Sequence, residues 1–61
     1  GLQERYYETG QLEERGNLKK SENELSYADK DGLWEYFDED GNLTKTETWE
    51  NGEVVEYNLN P

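Results

Sequence analysis

This sequence contains no cysteine, no histidine and no methionine. Without cysteine there is no disulfide and no thiolate nucleophile. Without histidine there is no Ser-His-Asp triad and no imidazole to hold a metal. Small domains usually lean on such staples. A chain of 61 residues makes one domain at most, and a domain of that size buries only roughly 60% of the surface its unfolded form exposes. Cations are also scarce: six Lys and Arg stand against 16 Asp and Glu, a net charge of −10. Direct nucleic-acid binding requires a basic footprint, and none is present. Binding to an anionic membrane surface is disfavoured for the same reason. No apolar run approaches the ~18 residues of a membrane span, and there is no signal peptide. The chain starts at Gly1, so it reads as processed, trimmed or cut from something longer. The cytoplasm is the default compartment, with export after signal removal compatible with the same sequence.

Hydrophobic residues make up only 30% of the chain, close to the composition of disordered proteins. The counterweight is a set of eight aromatics: Tyr6, Tyr7, Tyr27, Trp34, Tyr36, Phe37, Trp49 and Tyr57. Each can bury roughly 150–250 Å², so a few of them substitute for many aliphatics. The acidity is uneven. Residues 1–30 hold five cations and seven acids, whereas residues 31–61 hold Lys45 alone against nine. Such a surface either keeps a β-rich chain soluble or steers a basic protein partner.

An internal repeat organises the chain. Gly1-Leu2 through Gly10-Gln11-Leu12 aligns with Gly32-Leu33 through Gly41-Asn42-Leu43. Both copies place an alternating aromatic strand before a glycine turn, with a polar strand after it. A type I turn followed by a left-handed glycine gives a three-residue hairpin loop with a bulge. In that register Phe37 faces Leu43, Tyr36 faces Thr44 and Glu35 faces Lys45, while Tyr6 faces Leu12 and Arg5 faces Glu13. Asn51-Gly52 is the preferred two-residue type I′ turn. It sets Trp49 opposite Val54, Thr48 opposite Val55 and Thr46 opposite Tyr57. Strands are therefore expected at 33–38, 42–49 and 53–58. Lys19 through Glu24 reads as a loop, Leu25-Ser26-Tyr27 as a short strand, and Asp29 through Gly32 as a further turn. No segment has the spacing of an amphipathic helix.

These residues resemble the MORN-variant repeats of bacterial proteins known as YwqK-type antitoxins. The family pattern runs Gly-Leu-Trp-x-x-Tyr-Tyr-x-x-Gly-x-Leu, then a strand, then Asn-Gly. Gly32, Leu33, Trp34, Phe37, Gly41, Leu43, Asn51 and Gly52 match it, as do Gly1, Leu2, Tyr6, Tyr7, Gly10 and Leu12. Gln3 replaces the tryptophan in the first copy, and residues 13–31 diverge. The resemblance implies an extended meandering sheet and non-catalytic binding.

Other chemistry is weaker. A carboxylate pair could serve glycoside hydrolysis, but a meander of this size offers little material for the pocket that holds it. Asp29-x-Asp31-Gly32 and Asp38-x-Asp40-Gly41 look like pieces of a calcium loop, yet its first ligand position falls on Tyr27 or Tyr36. We therefore expect an all-β, small antiparallel meander of repeated hairpins forming one domain, 1–61. Its repeat-like segments are 1–12 and 32–53, joined by 13–31. It is expected not to be an enzyme and to need no metal or cofactor.

The candidate partner-binding residues are the aromatics Trp34, Tyr36 and Trp49, rimmed by Asp38, Glu39, Asp40, Glu50 and Glu53. Alternation places Trp34, Tyr36, Val55 and Tyr57 on one face. Leu33, Phe37, Trp49 and Val54 fall on the other. At least one face should be covered by a flap from residues 13–31, another repeat or a partner. The expected function is protein–protein interaction of the antitoxin or immunity type, on a basic partner. The alternatives are a unit of a longer repeat array, with self-association or flanking repeats, and an acidic inhibitor that mimics nucleic acid.

Overall fold

The structure is a computed structural model that describes residues 1–20 and 29–60. Five strands run in chain order: β1 (Leu2–Tyr6), β2 (Leu12–Lys19), β3 (Asp29–Phe37), β4 (Leu43–Glu50) and β5 (Glu53–Leu59). They form one open sheet in the order β1-β2-β3-β4-β5, every neighbour antiparallel. The chain is an all-β meander, as its composition and turns imply. The expected strand at Leu25-Ser26-Tyr27 and most of the expected 19–24 loop lie outside the described residues. Lys19 itself ends β2.

The turns follow their local chemistry. Gly10 and Gly41 sit at φ +93° and +89°, the left-handed conformation that glycine adopts without a Cβ penalty. Each closes a three-residue loop: Tyr7 donates to the Gln11 carbonyl and Asp38 to the Asn42 carbonyl. Asn51 and Gly52 both have positive φ, 52° and 81°, as a type I′ turn requires. Trp49 accordingly pairs with Val54, as expected. Tyr6–Leu12 and Phe37–Leu43 pair as expected as well.

Beyond those pairs the register departs from expectation, and the cause is bulging. Glu13 and Thr44 are extra residues in equivalent places of the two hairpins, so Arg5 meets Glu14, Tyr36 meets Lys45 and Glu35 meets Thr46. Arg5 with Glu13, Tyr36 with Thr44 and Glu35 with Lys45 are therefore not ladder partners, although Arg5 Nε still lies 3.9 Å from Glu13 Oε1. In the second hairpin the bulge is fastened from both sides. The Thr44 hydroxyl donates to the Tyr36 carbonyl at 3.1 Å, and Asn60 N–H donates to the Thr44 carbonyl at 2.7 Å. Val55 bulges from β5, so Thr48 meets Glu56 and Thr46 meets Asn58, instead of Val55 and Tyr57.

Asp29 through Gly32 is strand, not turn. The positive φ of Gly32, +72°, instead accompanies a register shift between β2 and β3. Of the expected flap from residues 13–31, 13–19 and 29–31 lie within the sheet instead, and 21–28 lie outside the described residues.

A single sheet has little interior. Trp34, 2% exposed, is the one buried hydrophobic side chain among the described residues. Its indole lies against Gly16 on β2. A Cβ added at Gly16 would sit 2.1 Å from Trp34 Cδ2 and 2.3 Å from Cε2. The indole N–H donates to the Asn17 carbonyl at 3.0 Å. Glycine inside a strand often marks such a close approach; here it makes the seat for the largest buried side chain among the described residues.

Candidate functional site

Directly paired residues in an antiparallel sheet point to the same face. The observed register therefore sorts the side chains. Tyr36 pairs with Lys45 and Glu14, Trp34 with Glu47, and Gly32 with Trp49. Trp34, Tyr36 and Trp49 thus share one face, here the tryptophan face. Tyr57 and Leu59 join it through Glu47 and Lys45, and Val54 through Trp49. The expected grouping of Trp49 and Val54 with Phe37 is overturned. The Thr44 bulge moves β4 by one residue, and a one-residue slip sends every side chain to the opposite face.

On the tryptophan face the charges are tied into a network. Tyr36 hydroxyl donates to Glu47 Oε1 at 2.5 Å, and Trp49 Nε1 donates to the same oxygen at 3.1 Å. Lys30 Nζ donates to the Tyr36 hydroxyl at 2.9 Å. It also lies 4.6 Å from the Trp34 ring and 5.2 Å from the Trp49 ring. Its 5.3 Å separation from the Tyr36 ring centre, with the hydroxyl much closer, places it at the phenol's oxygen end and not over the ring. The Tyr36 ring is instead approached by Lys45 at 4.6 Å, and Lys45 also sits 3.6 Å from Glu47 Oε2. Arg5 and Lys30 approach Glu14 at 3.5 and 4.0 Å.

These contacts set the protonation states. Burial pushes the Tyr36 phenol well above its ordinary value, and its hydrogen bond to Glu47 pushes the same way. Burial alone would raise Glu47. The hydrogen bonds from Tyr36 and Trp49, with the charges of Lys45 and Lys30, outweigh it and hold the carboxyl below its usual range.

The other face is acidic. By the same pairing rule, Glu4, Asp29, Asp31, Glu35, Glu50, Glu53 and Glu56 belong to it, with Arg15 and Lys19. Arg15 is committed to Glu35 at 2.7 Å, and its guanidinium lies 5.8 Å from the Phe37 ring. That hydrogen bond, with the carboxylate's charge, raises the Arg15 pKa further.

The eight residues singled out from sequence do not form one patch. Tyr36 and Trp49 are half-buried neighbours in the network, and Trp34 is buried beside them. Asp38, Glu39 and Asp40 occupy the β3–β4 loop. Glu50 and Glu53 flank the Asn51-Gly52 turn at the far end of β4, about 23 Å away at ~3.3 Å per residue. Asp38 also has a structural task. Its Oδ1 accepts the backbone N–H of Asp40 and of Asn42, each at 2.9 Å. The bond from Asn42 is the main cause of its lowered pKa.

Sequence reasoning missed Lys30, Glu47 and Gly16. Gly16 carried a signal, a lone glycine in a polar strand. Glu47 carried none, because the Thr44 bulge brings it to the aromatics, and Lys30 falls in a segment that reads as a turn, where strand alternation does not apply. Among the described residues, no group of three or more Asp or Glu side chains is arranged to hold a metal ion.

The MORN repeat variant family matches residues 1–20 and 30–51, more than half of the chain. The chain belongs to that family, and it is a repeat module of the MORN-variant kind. No curated protein and no solved structure matches the chain.

Proposed function

We propose that this chain is a non-catalytic protein-interaction module, of the antitoxin or immunity kind, whose acidic face receives a basic surface of a partner protein. The observation that carries the reading is the segregation of charge. Cations on the tryptophan face are engaged with acids and rings, while seven strand carboxylates on the opposite face meet two cations. A one-sided field of this kind accelerates encounter with a surface of opposite sign. The Glu39 and Asp40 loop adds to the field at one end, and Glu50 and Glu53, two of the seven, lie at the other. The resemblance to YwqK-type antitoxin repeats supports the antitoxin kind. The test is the association rate of the captured basic partner as a function of ionic strength. Glu53→Lys with Glu56→Lys, both exposed, should slow association and flatten its salt dependence while the sheet stays folded. Superimposable curves for parent and variant would remove recognition through this face.

A second reading, a unit in a longer repeat array, rests on the edges. β1 and β5 are exposed along their whole length, and among the described residues no strand pairs with the outer edge of either. The repeat makes β1 the counterpart of residues 33–37 of β3, whose equivalent edge is covered by β2. A strand of a neighbouring repeat would complete β1 in the same way. Flanking sequence carrying further Gly-Leu-Trp segments would favour this reading.

A further inference from the structure

The Lys30 ammonium occupies a site with more machinery than a surface lysine needs. Two indoles approach it, Trp34 at 4.6 Å and Trp49 at 5.2 Å. Aromatic rings attract cations through the negative charge of their faces, tryptophan most strongly. The Tyr36 hydroxyl accepts a hydrogen bond from the ammonium at 2.9 Å and passes its own proton's bond to Glu47. Trp49 Nε1 binds that same Glu47 oxygen, so one of the two indoles is fixed by the carboxylate that also orients the phenol. The second indole is fixed by Asn17 and seated on Gly16. The walls are therefore held by bonds of their own, none of which involves the lysine. The occupant is different. Lys30 hangs on a flexible four-carbon stem, its side chain is 31% exposed, and among the described residues the nearest carboxylate outside the site, Glu14, is 4.0 Å away.

We propose that Trp34, Trp49, Tyr36 and Glu47 form a binding site for a primary alkylammonium group, filled within the chain by Lys30 and open to exchange with a lysine side chain of a second molecule. The chemistry selects a primary amine. An –NH₃⁺ group has protons to give to the Tyr36 oxygen, whereas a quaternary ammonium has none. The aromatic walls favour any organic cation, and the hydroxyl discriminates among them. Exchange is competitive: a tethered lysine acts at an effective concentration in the ~mM range, so a free amine enters the parent weakly. The inference does not depend on the acidic face, and the two can fail separately.

The test uses n-butylamine as the probe, read by tryptophan fluorescence at constant ionic strength, with sodium chloride and tetramethylammonium chloride as controls. Lys30→Ala empties the site. This variant should bind n-butylamine saturably, at least about tenfold more tightly than the parent, since the tethered competitor is gone. It should prefer n-butylamine to tetramethylammonium. N-acetyl-lysine amide should behave as n-butylamine does, which extends the site from free amines to lysine side chains; if it fails to bind where n-butylamine does, exchange with a protein lysine is refuted. Adding Trp49→Leu to Lys30→Ala should abolish the response. A folded Lys30→Ala protein that shows no saturable response, or no preference over tetramethylammonium, overturns the proposal. If Lys30→Ala does not fold, the parent decides by NMR. Its Lys30 ε-methylene protons should lie upfield under the indole rings and move toward ordinary positions as n-butylamine is added. Protons that start at ordinary positions, or that the amine does not move, overturn it equally.

Discussion

Substituting Gly16 with alanine should do more damage than any other single-methyl addition to the sheet. The new Cβ would lie 2.1, 2.3 and 2.5 Å from three carbons of the Trp34 indole. The indole is rigid, and its N–H is anchored on the Asn17 carbonyl at 3.0 Å. Either the strands part or Trp34 leaves its seat. Overpacking of a close-packed site costs about 1–3 kcal/mol. Complete loss of a buried tryptophan costs about 3–5 kcal/mol. Alanine offsets some of this, since glycine within a strand is the poorer residue by about 0.5–1 kcal/mol. The expected net loss is about 2–4 kcal/mol. A domain of this length has roughly 3–9 kcal/mol in total at ~0.05–0.15 kcal/mol per residue. The assay is urea unfolding followed by far-UV circular dichroism, in a double-mutant cycle with Trp34→Leu. In the leucine background Gly16→Ala should be neutral or slightly stabilising, because the colliding ring is absent. A Gly16→Ala protein that unfolds like the parent, or an equal cost in both backgrounds, would refute the seating of Trp34 on Gly16.

Other perturbations probe other parts of the sheet. Gly52→Ala, at φ +81°, should lose about 1–2 kcal/mol from a left-handed alanine, visible as a lower urea midpoint. Tyr36→Phe removes the hydroxyl between Lys30 and Glu47 and should cost about 1–3 kcal/mol, because the Glu47 carboxylate loses one of its two hydrogen-bond donors and keeps Trp49 alone. The pH profile has two limbs. The Glu47 and Asp38 carboxyls are held below their ordinary values of 4.5 and 3.8. Their contribution is complete above those values and is lost as pH falls through the lower folded-state pKa. Tyr36 is raised above 10.0, so its contribution is complete below pH 10 and lost as pH rises further. Melting temperature against pH should show both limbs in the parent and a weaker alkaline limb in Tyr36→Phe. Replacing Asp38 with alanine should loosen the β3–β4 loop, since two backbone N–H groups lose their acceptor. Glu39→Lys with Asp40→Lys should leave the loop intact, and amide hydrogen exchange distinguishes the two.

What the sequence made legible was local. Asn51-Gly52, Gly10 and Gly41 need positive φ for reasons contained in two or three residues, and the hairpins follow from them. The aromatics likewise pointed to a lean β-sheet. What stayed hidden was the parity of side chains further along each strand. Glu13, Thr44 and Val55 each add one residue to a strand, and the sheet shifts again beside Gly32. Such bulges arise from pairing between distant strands, and the Thr44 bulge is fastened by Asn60, sixteen positions on. Each single-residue bulge reverses the faces beyond it, whereas the shift beside Gly32 is of two residues and keeps them. This is why alternation groups Trp49 with Phe37 and leaves Glu47 away from the tryptophans, while Lys30 is hidden because Asp29 through Gly32 reads as a turn. The acids were visible as a count, but their collection on one face required the register.

Everything proposed for this protein depends on that register, so the most direct test is which side chains touch across β3 and β4. Proton–proton nuclear Overhauser effects in the folded protein report this without any partner. The Trp49 indole should show cross-peaks to the ε-methylene protons of Lys30 and none to the Phe37 ring. Cross-peaks from Trp49 to Phe37, with none to Lys30, would place the tryptophans on opposite faces. The ammonium site and the separate acidic face would both be contradicted.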